Sequence, residues 1–503
     1  MQLSWVFLGI YALLLISVAV YSSRRVKSMD DFFLGGRSLG GWMSAFSYGT
    51  SYFSAVVFIG YAGQFGWQFG ISSTWIGIGN AIIGSLLAWI VLAKRTRRMT
   101  QQLGASTMPD FFEKRYRSKG LKLMASVLIF VFLVPYSASV YQGLSTLFES
   151  LLNVPYIICM VAMVIISASY LIAGGYKATA LTDFIQGCIM LVGIIIVVAL
   201  VLVDPTVGGL TEGMRRLSAI DPAYGAVFGS SENLFSLISV FVLTSLGTWG
   251  LPQMVHKFYA IRDEKAILRG TVISTVFATI VAGGSYFIGG FGHLFVAPED
   301  MTSTSQIMPR LLQSIIPSGI WGSALIGVIL VLVLSASLST LTSLVLVSSS
   351  SISMDLVGGL FFKNIKPKAQ NILMRLMCGV FIALSFFLDL NKVQGIVKLM
   401  SLSWGCLAGA FLGPFLMGLY WKGTTKDGAW IGMIGGLAIC LGLNLLPLGI
   451  SWLNSLSSGA IAMVSSVLLT FLGSLFTKKL PAEHVQQIMF RVKNESVAMK
   501  QEQ

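Results

Sequence analysis

Residues 331–353 read VLVLSASLSTLTSLVLVSSSSIS, apolar enough for a bilayer yet dense in hydroxyls. At the α-helical step of about 100° per residue, Ala336, Ser339, Thr340 and Ser343 share one face, with Thr342 at its edge beside Ser339. A hard monovalent cation such as Na+ trades its water for several neutral or singly charged oxygens. Hydroxyls and loosened backbone carbonyls supply these without a large buried charge. The same pattern has a purely structural reading, because Ser and Thr in membrane helices also bond the carbonyl one turn back or tie helices together. The stretch alone leaves both readings open.

Composition sets the class. Of 503 residues, 55% are hydrophobic and 11% charged, with a mean hydropathy of +0.81, whereas charged residues make up about a quarter of a soluble domain. The chain is therefore an all-α polytopic membrane protein. Taking about 20 apolar residues per crossing, thirteen segments are expected, near 4–22, 42–65, 70–93, 121–146, 153–173, 181–203, 233–253, 270–296, 317–350, 371–389, 394–420, 428–448 and 453–477. The first carries its Arg pair after the apolar run and no charge before it, opposite to a cleavable signal peptide, and is kept as a helix with its N-terminus outside. With that orientation 29 of the 34 Lys and Arg residues fall on the cytoplasmic side. A positive-inside bias thus accounts for the net charge of +14 without nucleic acid. Cys159, Cys188, Cys378, Cys406 and Cys440 lie inside apolar segments without CxxC spacing and read as core residues. His256, His293 and His484 are too scattered for a metal or catalytic cluster.

Segment two is interrupted by Gly49, Gly60 and Gly63, and segment seven by Gly247, Gly250 and Pro252. A break in a membrane helix frees carbonyls that need a partner, and an ion is one. The two interrupted segments stand five apart, the spacing of two inverted five-helix repeats, since an odd number of helices turns the second copy over. The expected organisation is an extra helix and loop (1–41), a first repeat (42–203), an outer loop (204–232), a second repeat (233–420), two further helices (421–477) and a cytoplasmic tail (478–503), polar and disordered at its end. The connections 204–232 and 297–316 are expected to form a lid or short surface helices. The basic 94–122 loop serves topology, with anionic lipid heads as the other reading. Asp183, at the start of segment six, is a rare carboxylate beside hydrocarbon. It reads either as a functional group or as a helix cap.

Several motifs then come together in order and spacing: DDFFLGGRSLGG before segment two, Tyr136 in VPYSAS, GGYKATALTDFIQG, GLPQMVHKFYAIRDEKAILRG after the break in segment seven, and SASLSTLTS followed by SSSSISMDL. Over nearly its whole length the chain resembles the sodium/solute symporter family, in particular its bacterial sodium/proline and sodium/pantothenate members. The resemblance implies a LeuT-like core of two inverted repeats and sodium-coupled import of a small organic solute by alternating access, with Na+ as the co-transported ion, one or two per cycle. It places the shared sodium site on carbonyls of Thr50 and Phe53 and on Ala336, Ser339 and Thr340. A second sodium site falls on Asp183, Ser339, Thr342 and Ser343. It also implies a multi-pass protein of a bacterial cytoplasmic membrane.

The solute site is expected at the midplane between the two breaks, within reach of Tyr52, Ser54, Tyr136, Thr244, Trp249 and Gln253. Proline carriers have Asp where this chain has Tyr52 and Trp where it has Thr244, and a sialic-acid carrier has Arg where it has Tyr136. A lining that is aromatic and neutral suits an amino acid such as proline or a pantothenate-like monocarboxylate, with a sugar or other neutral solute as the alternative. Proton coupling would call for a carboxylate relay, and only Asp183 offers one. An enzyme would need a nucleophile and base together, and a sensor an output domain; a channel is separable from a carrier by saturable flux. The expected partners are the solute and the bilayer, with no obligatory protein partner.

Overall fold

The computed structural model describes residues 2–489 apart from 24–32, 302, 363–364, 391–394 and 447–452. The charged turn after the first helix (Arg24, Arg25, Lys27) and the tail beyond 489 lie outside the described residues. Among the described residues the regular elements are helical, with one isolated bridge between Leu39 and Ile261. Among the described residues ten helices are long and apolar enough to cross a membrane, and Leu3–Val18 and Tyr156–Ile166 are shorter apolar helices. The described residues of the expected segments are mainly helical. Five and six lie within one helical run, Tyr156–Val203, whose 48 residues are about twice what one crossing uses.

Helix starts are fixed by side chains at the membrane ends. Asp263 accepts from the Ala266 N–H (2.7 Å) to open segment eight. Thr425 opens segment twelve, accepting from Gly428 N–H at 2.9 Å. Asn454 and Ser457 form a reciprocal capping box for segment thirteen. Each cap satisfies donors that a helix cannot pair internally.

Both expected breaks are present. Segment two runs as helix over Gly41–Tyr52 and becomes extended at Phe53 (φ −106°, ψ 105°). It restarts where Ser54 takes the N–H of Val56 on its hydroxyl and those of Val57 and Phe58 on its carbonyl. Segment seven runs over Leu234–Leu246, tightens through Gly247–Trp249, extends at Leu251 (ψ 123°) and restarts as Pro252–Tyr259. Proline at the first helical position gives up an N–H that would have had no partner there.

Segment nine, Ile320–Ser350, is the axis of the molecule: every residue from Ile329 to Ser350 is buried. It packs on segments one, two, four, six and ten and on the second half of segment seven, while segments eleven, twelve and thirteen pack on one another and eleven on four. Segment eight crosses the second half of segment two at backbone contact. A Cβ on Gly66 would stand 2.1 Å from the Gly289 carbonyl carbon, and one on Gly289 would stand 2.0 Å from the Ala62 oxygen. Only glycine allows helices to approach this closely.

The basic 94–122 stretch is folded rather than loose, forming helices Lys94–Leu103 and Met108–Tyr116. Its cations clasp helix ends. Arg115 donates to the Gly418 carbonyl (2.9 Å) and Arg95 to that of Leu419 (3.0 Å), at the carbonyl end of segment eleven, and Arg97 donates to the Ile261 carbonyl. Lys122, nearly buried, lies 3.1 Å from Asp110 and 2.9 Å from Glu113. The connections 204–232 and 297–316 contain the short helices Leu210–Ile220, Pro222–Gly225 and Ile307–Ile315. The five cysteines are free thiols.

The glycine crossing is testable. Gly289→Ala should cost about 1–3 kcal/mol through overpacking, seen as a lower unfolding temperature in detergent. Gly379→Ala, whose new methyl meets nothing within 4 Å, should leave it unchanged or raised. Equal effects would mean that the close approach carries no constraint.

Candidate functional site

The hydroxyls of segment nine divide by direction. Ser337 and Thr342 turn back on their own helix, Ser337 to Val333 O (2.7 Å), Thr342 to Leu338 O and Ser339 O (both 2.9 Å), the structural use of such residues. Ser339, Thr340 and Ser343 instead face segment two just before its break. The Thr340 hydroxyl lies 3.1 Å from the Ala336 carbonyl, 3.3 Å from that of Thr50 and 3.4 Å from that of Ser51. The Ser339 hydroxyl lies 2.7 Å from both Thr50 Oγ1 and an oxygen of Asp183. Each hydroxyl has one proton to offer and more than one acceptor in reach, and the Thr50 proton goes to the Phe46 carbonyl (2.8 Å). The result is a buried cluster with more lone pairs than protons, a donor set suited to a hard cation. Of the expected carbonyls, Thr50 is at the cluster. Phe53 is the extended residue of the break, and the second carbonyl reaching Thr340 is that of Ser51.

Asp183 is wholly buried within the Tyr156–Val203 run and caps no helix end. Its carboxylate accepts from Ser47 at 2.5 Å and Ser339 at 2.7 Å. Beside it stands the ammonium of Lys257, 3.6 Å from Asp183 Oδ2 and donating to Ser47 and Ser343, each at 2.9 Å. Ser343 is also 2.9 Å from Ser51 Oγ. Of the residues expected at a second sodium, Asp183, Ser339 and Ser343 come together and Thr342 faces away.

The expected solute residues are partly brought together. The Tyr52 ring stacks on Phe53 (4.1 Å between centroids) and lies 6.1 Å from Trp404, and its hydroxyl donates to the Thr244 carbonyl at 2.6 Å. Trp404 meets Tyr136 edge-on at 5.8 Å, and Ser54 adjoins the Tyr136 hydroxyl. The Thr244 hydroxyl bonds back to Val240, and Trp249 donates its indole N–H to Ile83 O (3.0 Å), a packing role. Buried and without a hydrogen-bond partner at normal geometry among the described residues are Tyr136 Oη, Trp404 Nε1 and both amide atoms of Gln253. Orphaned polar atoms in a core are costly and mark places where a ligand or water belongs. A cleft of about 270 Å³ is lined by Gly60, Gln64, Thr304, Lys398, Ser401 and Asn454. Ser401, on its wall, shares a hydrogen bond with Tyr61 (2.7 Å).

Sequence reading passed over Lys257, Ser47, Ser51 and Trp404. Lys257 had a signal: a broken helix needs a second half, and the run beginning at Pro252 carries the chain onward through Lys257 before any turn. Trp404 had none, being one aromatic in an apolar helix.

Comparison with known proteins agrees with this geometry. The model of the sodium:solute symporter family matches residues 32–436. The chain is 29% identical over 442 residues to the osmoregulated proline transporter OpuE of Bacillus subtilis, with 86% of this chain and 87% of that protein aligned. It is 29% identical over 453 residues to the sodium/proline symporter of Haemophilus influenzae, covering 88% of each. The sodium/proline symporter of Staphylococcus aureus is 27% identical over 512 residues, 98% of this chain and 96% of that one. Among solved structures, a Na+-coupled sialic acid symporter superposes with a TM-score of 0.77 at 20% identity, over 95% of this chain and 99% of that one. The nucleobase-cation-symport transporter Mhp1 superposes at 0.54 and 13% identity, over 91% and 97%. A chain with two broken helices, a buried hydroxyl ladder between them and a family match of this length belongs to the sodium:solute symporter family, whose work is sodium-coupled solute symport.

Proposed function

We propose that Na+ is held by the carbonyls of Thr50, Ser51 and Ala336 with the hydroxyls of Ser339 and Thr340, and that the co-transported solute is a small zwitterion of the amino-acid kind. The observation that carries the ion site is the Thr340 hydroxyl within reach of two carbonyls of segment two just before its break, Thr50 and Ser51, and of the Ala336 carbonyl on its own helix. For the solute, support comes from the relatives that are proline carriers and from the neutral aromatic surroundings of the unpaired Tyr136, Trp404 and Gln253 atoms. A carboxylate there would be met by helix-end dipoles, hydroxyls and the bound ion. A dicarboxylate would leave a second charge uncompensated. Phe53 and Thr342 remain at the margin of the ion cluster, and Tyr52, Ser54 and Thr244 shape the solute space more than they bond the solute. Orientation follows the charge bias, with the N-terminus outside and the tail cytoplasmic. One Na+ entering with a zwitterion gains about 2.3 kcal/mol per 100 mV, enough for roughly fiftyfold accumulation.

Two outcomes check this reading in proteoliposomes. Ser339→Ala removes an oxygen that faces the cluster and should raise half-saturating Na+ about tenfold or more (~1.4 kcal/mol). Thr342→Ala removes one already bonded to its own helix and should leave it unchanged; the reverse pattern would move the ion site off this face. In Na+-driven uptake over a panel of proline, other amino acids, pantothenate, sugars and succinate, saturable proline-class uptake is expected. Tyr136→Ala and Gln253→Ala should weaken apparent solute affinity with little effect on that for Na+. Efficient succinate uptake would sink the pocket as described.

A further inference from the structure

Lys257 sits among the oxygens that would otherwise hold a second ion. Its ammonium has three N–H donors. Two of them are met by Ser47 and Ser343 at 2.9 Å, and Asp183 Oδ2 lies 3.6 Å away. Those oxygens come from segments two, nine and six, and the lysine from the second half of broken segment seven, so four elements converge on one positive charge. The Lys257 side chain is 2% exposed and the Asp183 side chain 0%. A charge buried this deeply persists only when compensated, and carboxylate and ammonium together are neutral. Asp183 reaches the shared ion cluster through Ser339, whose hydroxyl lies 2.7 Å from both Asp183 and Thr50. The pair therefore also positions one of the cluster's own oxygens.

We infer that the Lys257 ammonium is a tethered cation standing in the second-ion position, and that this carrier consequently loads a single Na+ per cycle. The inference rests on the sodium site proposed above. A sodium ion entering between Asp183, Ser47 and Ser343 would have to displace the ammonium and leave it buried without its counter-charge. The lysine does the electrostatic work of an ion that never dissociates, and Asp183 is neutralised whatever the sodium concentration.

Equilibrium binding of radioactive sodium to the purified full-length protein in detergent, without solute, counts the ions directly. The unmodified protein should bind one Na+ per chain with a Hill coefficient of one. Lys257→Met vacates the position and leaves Asp183 unneutralised, so it should bind two per chain with a coefficient above one. Lys257→Met combined with Asp183→Asn should return to one. Two ions in the unmodified protein, or one in a folded Lys257→Met, overturns the inference while leaving the shared site standing. No sodium binding at all in the unmodified protein sinks the shared site and the inference with it. Should Lys257→Met fail to fold, the count in the unmodified protein still decides between one ion and two.

Discussion

A helix that breaks inside hydrocarbon must hand its freed backbone groups to something, because lipid offers no hydrogen bonds. Most of this structure answers that requirement at Phe53. Ser54 takes up three N–H groups on the far side of the break. On the near side the carbonyls of Thr50 and Ser51 turn toward segment nine, which meets them with hydroxyls in place of methyls. Segment nine can present those hydroxyls only because it is buried all round by six neighbouring segments, so its position at the centre and its oxygen face are one constraint.

Electrostatics beside that face follow from the same geometry. The Asp183–Lys257 pair contributes no net charge, so the oxygen cluster next to it can accept one cation without first overcoming a field of its own sign. A further cation within about 4 Å of the ammonium would meet repulsion of roughly 4 kcal/mol at an effective dielectric of 20. The pair and the oxygen cluster share Ser339, whose hydroxyl lies 2.7 Å from both Asp183 and Thr50.

Much of this was legible in the sequence because its signals are periodic or punctuating. The 3.6-residue repeat set Ser339, Thr340 and Ser343 on one face, and Gly247, Gly250 and Pro252 marked the break of segment seven, while that of segment two falls at Phe53, between Gly49 and Gly60. Where a helix unwinds is decided by packing, and the sequence pattern did not show that the Ser51 carbonyl lies within reach of Thr340. Lys257 was hidden for a related reason: an apolar window ends at the break, so the second half-helix counts as loop and its lysine as one more cytoplasmic charge. The 94–122 stretch reads as topogenic from composition alone. That its arginines also clasp the carbonyl end of segment eleven depends on contacts more than 300 residues apart along the chain.

The Tyr61–Ser401 hydrogen bond lies beside the cleft and joins the second half of segment two to segment eleven. It is a bond between two neutral hydroxyls, and such bonds contribute a net of about 1 kcal/mol. Breaking it changes a population ratio by roughly fivefold, far short of what a committed open or closed state needs. A latch this weak sets no schedule of its own. Any rearrangement that separates the second half of segment two from segment eleven would meet little resistance from this contact.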